Sequence, residues 1–243
     1  MPFAGISYKV KPGHEDRIAR VFSPENFQRV DSPVLRDTDG AELGYLTCTG
    51  LFIRDDTMVR VIQHDGGTTA DIRRHMSVQE GVHAAEREIM PYLTEPRDTE
   101  TPEGFAAHFD RSAMTVLGLQ QRDNRPAAGL VALHYRVRPG SGAAVAAAYR
   151  RTEAVLRRPA AAESPVIATF LLVRDDDVVR VVQHDSHDDQ DVLRFLGGQP
   201  LSVATDAWLA PYLSRARTTP DLESHVAAHR MRCVSHLSAA VLN

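Results

Sequence analysis

Two short stretches of the chain place an arginine and a histidine four residues apart: Arg60 and His64 within 57–65, and Arg180 and His184 within 178–185. Both stretches read as strands, and side chains alternate along a strand. Met58, Arg60, Ile62 and His64 therefore share one face, while Val59, Val61, Gln63 and Asp65 share the other. Arg180 and His184 fall in the same way with Val178 and Val182. A polar pair on an otherwise apolar face is costly unless it is paired, solvated or used. Four residues of strand span about 13 Å, so the two groups could bracket a ligand of two or three fused rings. Histidine can take and return a proton near neutral pH. Arginine cannot act as a base there, but it can stabilise an enolate or a phenolate. The structural alternative is that Arg60 pairs with an acid and the motif only keeps a strand end and its turn.

These stretches belong to a longer internal repeat. Residues 7–13, SYKVKPG, match 134–140, HYRVRPG. Residues 51–65, LFIRDDTMVRVIQHD, match 171–185, LLVRDDDVVRVVQHD. Pro91-Tyr92-Leu93 matches Pro211-Tyr212-Leu213, and Ala106-Ala107-His108 matches Ala227-Ala228-His229. The spacing shows that the first copy carries extra residues between its first helix and its hairpin, within 23–40. The polar, proline-bearing run QRDNRPAA marks the boundary. The expected organisation is a first copy at 1–121, a linker at 122–128 and a second copy at 129–243.

Within one copy the pattern is β-α-β-β-α-β. Residues 3–11 alternate and end at Pro12-Gly13. Residues 14–22 and 142–157 carry helical spacing. Two strands, 43–54 and 57–65, turn at Asp55-Asp56, a residue pair suited to a tight turn. Residues 78–93 read as the next helix, with Val82, Ala85, Ile89 and Leu93 on one side. A closing strand is expected near 113–119 and 233–241, after further helical material. This is the ferredoxin-like α+β pattern. Two copies in one chain can bury their bare sheet faces, so the expected fold is a dimeric α/β-barrel type pseudo-dimer within one molecule.

Differences between the copies mark further candidates. His83, on the helix expected to cover the sheet, faces Val203 across the repeat; His75 faces Phe195, His134 faces Ser7, and the single Trp208 faces Glu88. His83 is a candidate catalytic group. Tyr8 and Tyr135 recur at one strand position and read as core.

Composition bounds the function. Of 243 residues 43% are hydrophobic, enough for real cores, and the net charge of −4 shows no basic excess of the kind that binds nucleic acid. No run approaches the length of a membrane span. Cys48 and Cys233 fall at different places in the repeat and read as reduced thiols. The start of the sequence reads as cytoplasmic, without a secretory signal. Arginine almost wholly replaces lysine, as in GC-rich bacteria. No phosphate-binding glycine loop, zinc-protease motif or paired CxxC occurs, so no nucleotide, metal or flavin cofactor is expected. The stretch His184-Asp185-Ser186-His187-Asp188-Asp189 reads as a polar loop, because its counterpart in the first copy lacks the second histidine.

MPFAGISYKVKPGHEDRIARVFSPENF, then SPVLRD, then GLFIRDDTMVRVIQHDG, resembles the SchA/CurD-like proteins of bacterial type II aromatic polyketide clusters, including spore-pigment clusters. The resemblance implies a dimeric α/β-barrel enzyme acting on an aromatic polyketide intermediate, alongside other polyketide synthase components, and compatible with a homodimer. Proteins of this fold in such pathways include cofactor-free ring cyclases and cofactor-free anthrone-type monooxygenases. Trp208 lies on a helix and not on the hairpin, which departs from a tryptophan-dependent oxygenase site. The reading that follows is a cofactor-independent cyclase. His64 or His184 would be the base and Arg60 or Arg180 the oxyanion holder. The alternatives are a cofactor-independent monooxygenase and a non-catalytic polyketide-binding or complex-organising protein.

Overall fold

The computed structural model describes residues 1–23, 26, 32–122, 127–156, 165–186, 188, 192, 206–214 and 221–238. It forms two compact units, Met1–Met114 with Arg232–Asn243, and Thr115–Met231. Each is an antiparallel sheet with helices on one face, the duplicated ferredoxin-like α+β architecture that the repeat predicts.

Unit 1 runs β1 (Phe3–Lys9), α1 (Glu15–Val21), β2 (Val34–Arg36), β3 (Glu42–Arg54), β4 (Thr57–Gly66), α2 (Thr69–Met76), α3 (Glu80–Ile89), a 3-10 turn (Met90–Tyr92) and α4 (Pro102–Ser112). A fifth strand, β5 (Ala113–Gln121), begins here. Unit 2 continues with β6 (Gly129–Arg136), α5 (Gly142–Leu156), β7 (Val166–Arg174), β8 (Asp177–His184), a 3-10 turn (Ala207–Tyr212) and α6 (Leu222–His229). The last strand is β9 (Arg232–Ser238).

The hairpins turn where the sequence places them. Asp55 and Asp175 take left-handed φ values of 52° and 50°, which aspartate tolerates better than most residues. The helix expected over 78–93 is α3 with a 3-10 turn at its end. A separate helix that the apolar spacing did not suggest, α2, precedes it and starts at a capping box of Thr68 and Asp71. At the other end α3 tightens into a 3-10 turn at Pro91, which has no N–H for a further helical bond. The short strand β2 carries too little pattern to be read from sequence.

In unit 1 the strands lie in the order β3-β4-β1, with β2 and β9 on successive stretches of the outer edge of β3. The first two residues of β5 pair with β1, as Gly5↔Met114 and Ile6↔Ala113. From Thr115 onward β5 belongs to unit 2, whose order is β5-β7-β8-β6. The closing strand of each sequence copy therefore completes the sheet built on the other copy's hairpin. Bare outer edges of β3 and β7 would be templates for aggregation, and the exchanged strands cover them. For this reason the compact units differ from the repeat copies at 1–121 and 129–243 by their last strands.

Each unit has its own core between sheet and helices. Ile18, Met58, Ile62, Ile72 and Ile89 are fully buried in unit 1, and Leu133, Val145, Val178 and Val182 in unit 2. Each such side chain contributes roughly 1.5–3 kcal/mol on burial. The register is the same in both copies: Tyr8 sits opposite Met58 and Ile6 opposite Arg60, while Tyr135 sits opposite Val178 and Leu133 opposite Arg180. Tyrosine and arginine are thus diagonal neighbours on adjacent strands, on the face that carries the helices. No helix among the described residues is long and apolar enough to cross a membrane.

Candidate functional site

In unit 2 the diagonal pair gathers an acid and two histidines. The Tyr135 hydroxyl donates to Asp206 Oδ2 at 2.9 Å and lies 3.1 Å from His225 Nε2. Arg180 Nη1 donates to both oxygens of the same carboxylate, at 3.2 Å each. Asp206 holds a left-handed φ of 50° at the start of the 3-10 turn, a conformation that costs free energy unless its surroundings fix it. His225 and His229 are one turn apart on α6, so they share a face. Their rings are 4.6 Å apart, and His229 is 4.6 Å from Tyr135. His229 Nδ1 donates to the carbonyl of His134 at 3.0 Å, which fixes its ring.

The electrostatics divide the roles. Burial, helped by the Asp206 carboxylate, pushes the Tyr135 phenol well above the usual tyrosine range. Burial also pushes His225 below the usual imidazole value; the Arg180 charge adds to this and Asp206 opposes it. For Arg180, desolvation pushes the pKa down, but Asp206, Tyr135 and Tyr149 together outweigh it and the net shift is upward. At neutral pH the cluster holds a neutral imidazole, a protonated phenol and a guanidinium cation around the Asp206 side chain. The Tyr135 oxygen stands between His225 and Asp206, so a proton can pass along the row.

Unit 1 repeats the residue types with different partners. His108 stacks on Tyr8, with ring centroids 5.6 Å apart and planes 9° from parallel. The Arg97 guanidinium lies 4.5 Å over the Tyr8 ring and bonds to His108 Nε2 at 2.7 Å. Glu86, at the repeat position of Asp206, forms a buried ion pair with Arg97 and not with the strand arginine. Arg60 instead lies over the Phe22 ring at 5.5 Å. Burial draws the Arg97 pKa down and the Arg60 charge lowers it further, against Tyr8.

The sequence candidates separate in space by role. Arg180 joins the cluster of unit 2, and Arg60 faces that of unit 1. His64 and His184 sit buried at the strand ends, each with Nδ1 on a backbone carbonyl two residues on: Gly66 at 2.8 Å and Ser186 at 3.2 Å. The His184 ring lies so close to Gly129 that a Cβ there would come within 2.6 Å of it. His83 bonds through Nε2 to the Ser77 carbonyl at 2.8 Å and meets Phe105 edge-on, which ties α3 to the break before it. The Trp208 indole N–H is buried with no hydrogen-bond partner among the described residues, beside Tyr149. His187 and Asp189 of the polar loop lie outside the described residues.

Sequence reasoning missed Tyr135, Asp206, His225 and His229, and in unit 1 Tyr8, Glu86, Arg97 and His108. The repeat carried part of the signal. Tyr8/Tyr135 and His108/His229 are polar positions kept by both copies. Reading the tyrosines as core was right for their rings and missed their hydroxyls.

A model of the SchA/CurD like domain matches residues 1–121 and again 129–239. The chain is 32% identical over 198 residues to Polyketide synthase CurD of Streptomyces cyaneus, covering 79% of this chain and 50% of that one. It is 31% identical over 238 residues to a 42.8 kDa protein in the whiE locus of Streptomyces coelicolor, covering 88% and 56%. Protein SchA of Streptomyces halstedii is 31% identical over 180 residues, covering 73% and 44%. The chain thus spans about half the length of the curated relatives it matches. Among solved structures it is similar to a candidate monooxygenase from Fusobacterium nucleatum, with a TM-score of 0.47, 10% identity, and coverage of 98% and 94%. An anthrone oxidase-like protein matches with a TM-score of 0.42, 12% identity, and coverage of 98% and 92%.

Proposed function

The chain belongs to the SchA/CurD-like family, and from that premise we propose that it acts in aromatic polyketide biosynthesis as a cofactor-independent cyclase. The observation that carries this reading is the Tyr135–Asp206–Arg180–His225 cluster of unit 2. A poly-β-ketone is already reactive, and its cyclisation needs a base, an acid and a fixed positive charge. His225, neutral at pH 7, takes a proton from a methylene between two carbonyls. Arg180 stabilises the enolate oxygen that forms. The enolate carbon attacks a second carbonyl of the same chain, and the new alkoxide takes the Tyr135 proton. The proton on His225 returns through the row, and loss of water then aromatises the ring. Holding both reacting carbons in one conformation supplies much of the rate.

A cofactor-independent monooxygenase is the second reading, and the same neutral base beside a fixed cation favours it. Deprotonation of a phenol by His225 would leave a phenolate, held by Arg180, that reduces O₂ directly. One oxygen atom enters the ring system and the other leaves as water.

The deciding experiment incubates the purified chain with a late-pathway poly-ketone and measures product mass with and without O₂. Loss of one water in the absence of O₂ is expected. A gain of oxygen that requires O₂ would replace the cyclase with the oxygenase. An unchanged substrate in both conditions would leave a polyketide-binding role. His225→Ala should abolish the product, whereas the pair His64→Ala and His184→Ala should retain it. The opposite pattern would return the base to the strand ends.

A further inference from the structure

We infer that His229 is a positioning residue for the cluster of unit 2: its anchored ring holds His225 with the proton on Nε2, which makes Nδ1 the basic atom. This role rests on the cyclase reading for the use of the base, and not for where the proton sits.

The hydrogens available assign the tautomers. A phenol has one hydrogen to donate. That of Tyr135 goes to Asp206 at 2.9 Å, so toward His225 the Tyr135 oxygen accepts, and Nε2 carries the proton of the 3.1 Å bond. A neutral imidazole protonated at Nε2 takes its next proton at Nδ1. His229 is the reverse case. A carbonyl oxygen only accepts, so Nδ1 of His229 carries the proton that meets the His134 carbonyl at 3.0 Å.

The anchor belongs to the sheet. β6 is the edge strand of unit 2, so its outward N–H and C=O groups need partners. The Ala132 carbonyl accepts from the Met231 N–H at 2.9 Å, where the chain leaves α6. Two residues on, the His134 carbonyl is the next on this edge, and the His229 imidazole satisfies it. The His134 side chain is itself tied to Asp177 at 2.8 Å. From this fixed point the His229 ring lies 4.6 Å from both the Tyr135 ring and the His225 ring, and so backs the two partners of the bond at once. Without that backing a second arrangement competes. The Tyr135 hydroxyl turns to His225, Nε2 becomes the acceptor, and the phenol occupies the base. In unit 1 the matching His108 accepts from Arg97 at 2.7 Å through Nε2, and Gly104 stands where unit 2 has His225. Only in unit 2 does the repeat give this histidine a second imidazole to hold.

The test reads the ring nitrogens of the full chain by long-range proton–nitrogen NMR, in mildly alkaline buffer where an ordinary imidazole is neutral. Spectra of His225→Phe and His229→Phe assign the two signals. The parent should show Nε2–H on His225 and Nδ1–H on His229. His229→Phe keeps an aromatic ring and removes the anchor, and it should mix the two tautomers of His225. His229→Asn, a smaller change whose amide N–H stands near the place of Nδ1–H, should restore part of the Nε2–H form. On the poly-ketone, His229→Phe should lower kcat and kcat/KM together by about ten-fold with KM unchanged, as loss of orientation does. Nδ1–H on His225 in the parent, a His225 signal that stays Nε2–H in His229→Phe, or no recovery in His229→Asn overturns the inference. A parent that shows both expected tautomers and leaves the poly-ketone unchanged sinks the cyclase and leaves this arrangement standing.

Discussion

The two units start from one arrangement and spend their single acid differently. In unit 2 Asp206 accepts from Tyr135 and from Arg180, so phenol, cation and imidazole form one connected row. In unit 1 Glu86 is taken by Arg97, a residue beyond α3, and the strand arginine is left over an aromatic ring. Strand register is identical in both, but the acids stand on different backbone: Glu86 lies within α3, whereas Asp206 holds a left-handed conformation before a 3-10 turn. A duplicated fold can in this way keep a connected hydrogen-bonded cluster in one copy and leave the matching arginine over an aromatic ring in the other.

The largest effect that would break this comparison is on stability. Arg180→Met strands the buried Asp206 charge and should cost about 3–5 kcal/mol in urea unfolding. Arg60→Met removes only the contact over Phe22 and should stay within about 1 kcal/mol of the parent. Equal losses would mean that Arg60 is paired after all. Next comes activity: Tyr135→Phe should lower turnover of the poly-ketone about 100-fold, while Tyr8→Phe leaves it nearly unchanged. A comparable drop in both would place chemistry in both units.

A smaller effect sharpens what the copies share. Thr101 and Asp221 are the N-caps of α4 and α6, one residue out of register in the repeat, accepting from the backbone N–H of Gly104 at 3.0 Å and of Ser224 at 2.7 Å. Thr101→Ala should cost about 1 kcal/mol, and Asp221→Ala should lower the thermal midpoint as well. The last prediction concerns pH. Burial lowers the pKa of His75 in unit 1 and of His225 in unit 2. The unfolded chain then binds more protons than the folded one, so both groups contribute stability that is complete above the ordinary imidazole value of about 6.5 and is lost as the pH falls below it. Urea midpoints measured down through that window should fall less steeply for His75→Phe and for His225→Phe, and least steeply for the double variant.

The sequence made the hairpins, the duplication and the Arg60/Arg180 positions legible, because a period of two and a repeated motif are local signals. The extra helix α2 before 78–93 was not legible, since its capping box at Thr68 acts outside the apolar pattern. The cluster was half visible. Tyr8/Tyr135 and His108/His229 stood in the repeat, but Glu86 and Asp206 differ in type, and His225 faces Gly104 in the first copy. His64 and His184 stood out for being identical, and in the structure their shared feature is a ring nitrogen tied to the turn that follows. Which acid meets which arginine depends on segments brought together from far apart, and spacing along the chain carries no trace of it.

The exchange of closing strands has a consequence for how the protein is made. Cys48 and His236 meet at 3.4 Å although 188 residues separate them in the chain. The first sheet cannot be finished while the ribosome is still threading the second copy. During that interval the edge of β3 waits unpaired, open to a neighbouring nascent chain. Contacts of such long separation also fold slowly. The yield of active protein should therefore depend on translation speed and temperature more than on the final stability of either unit.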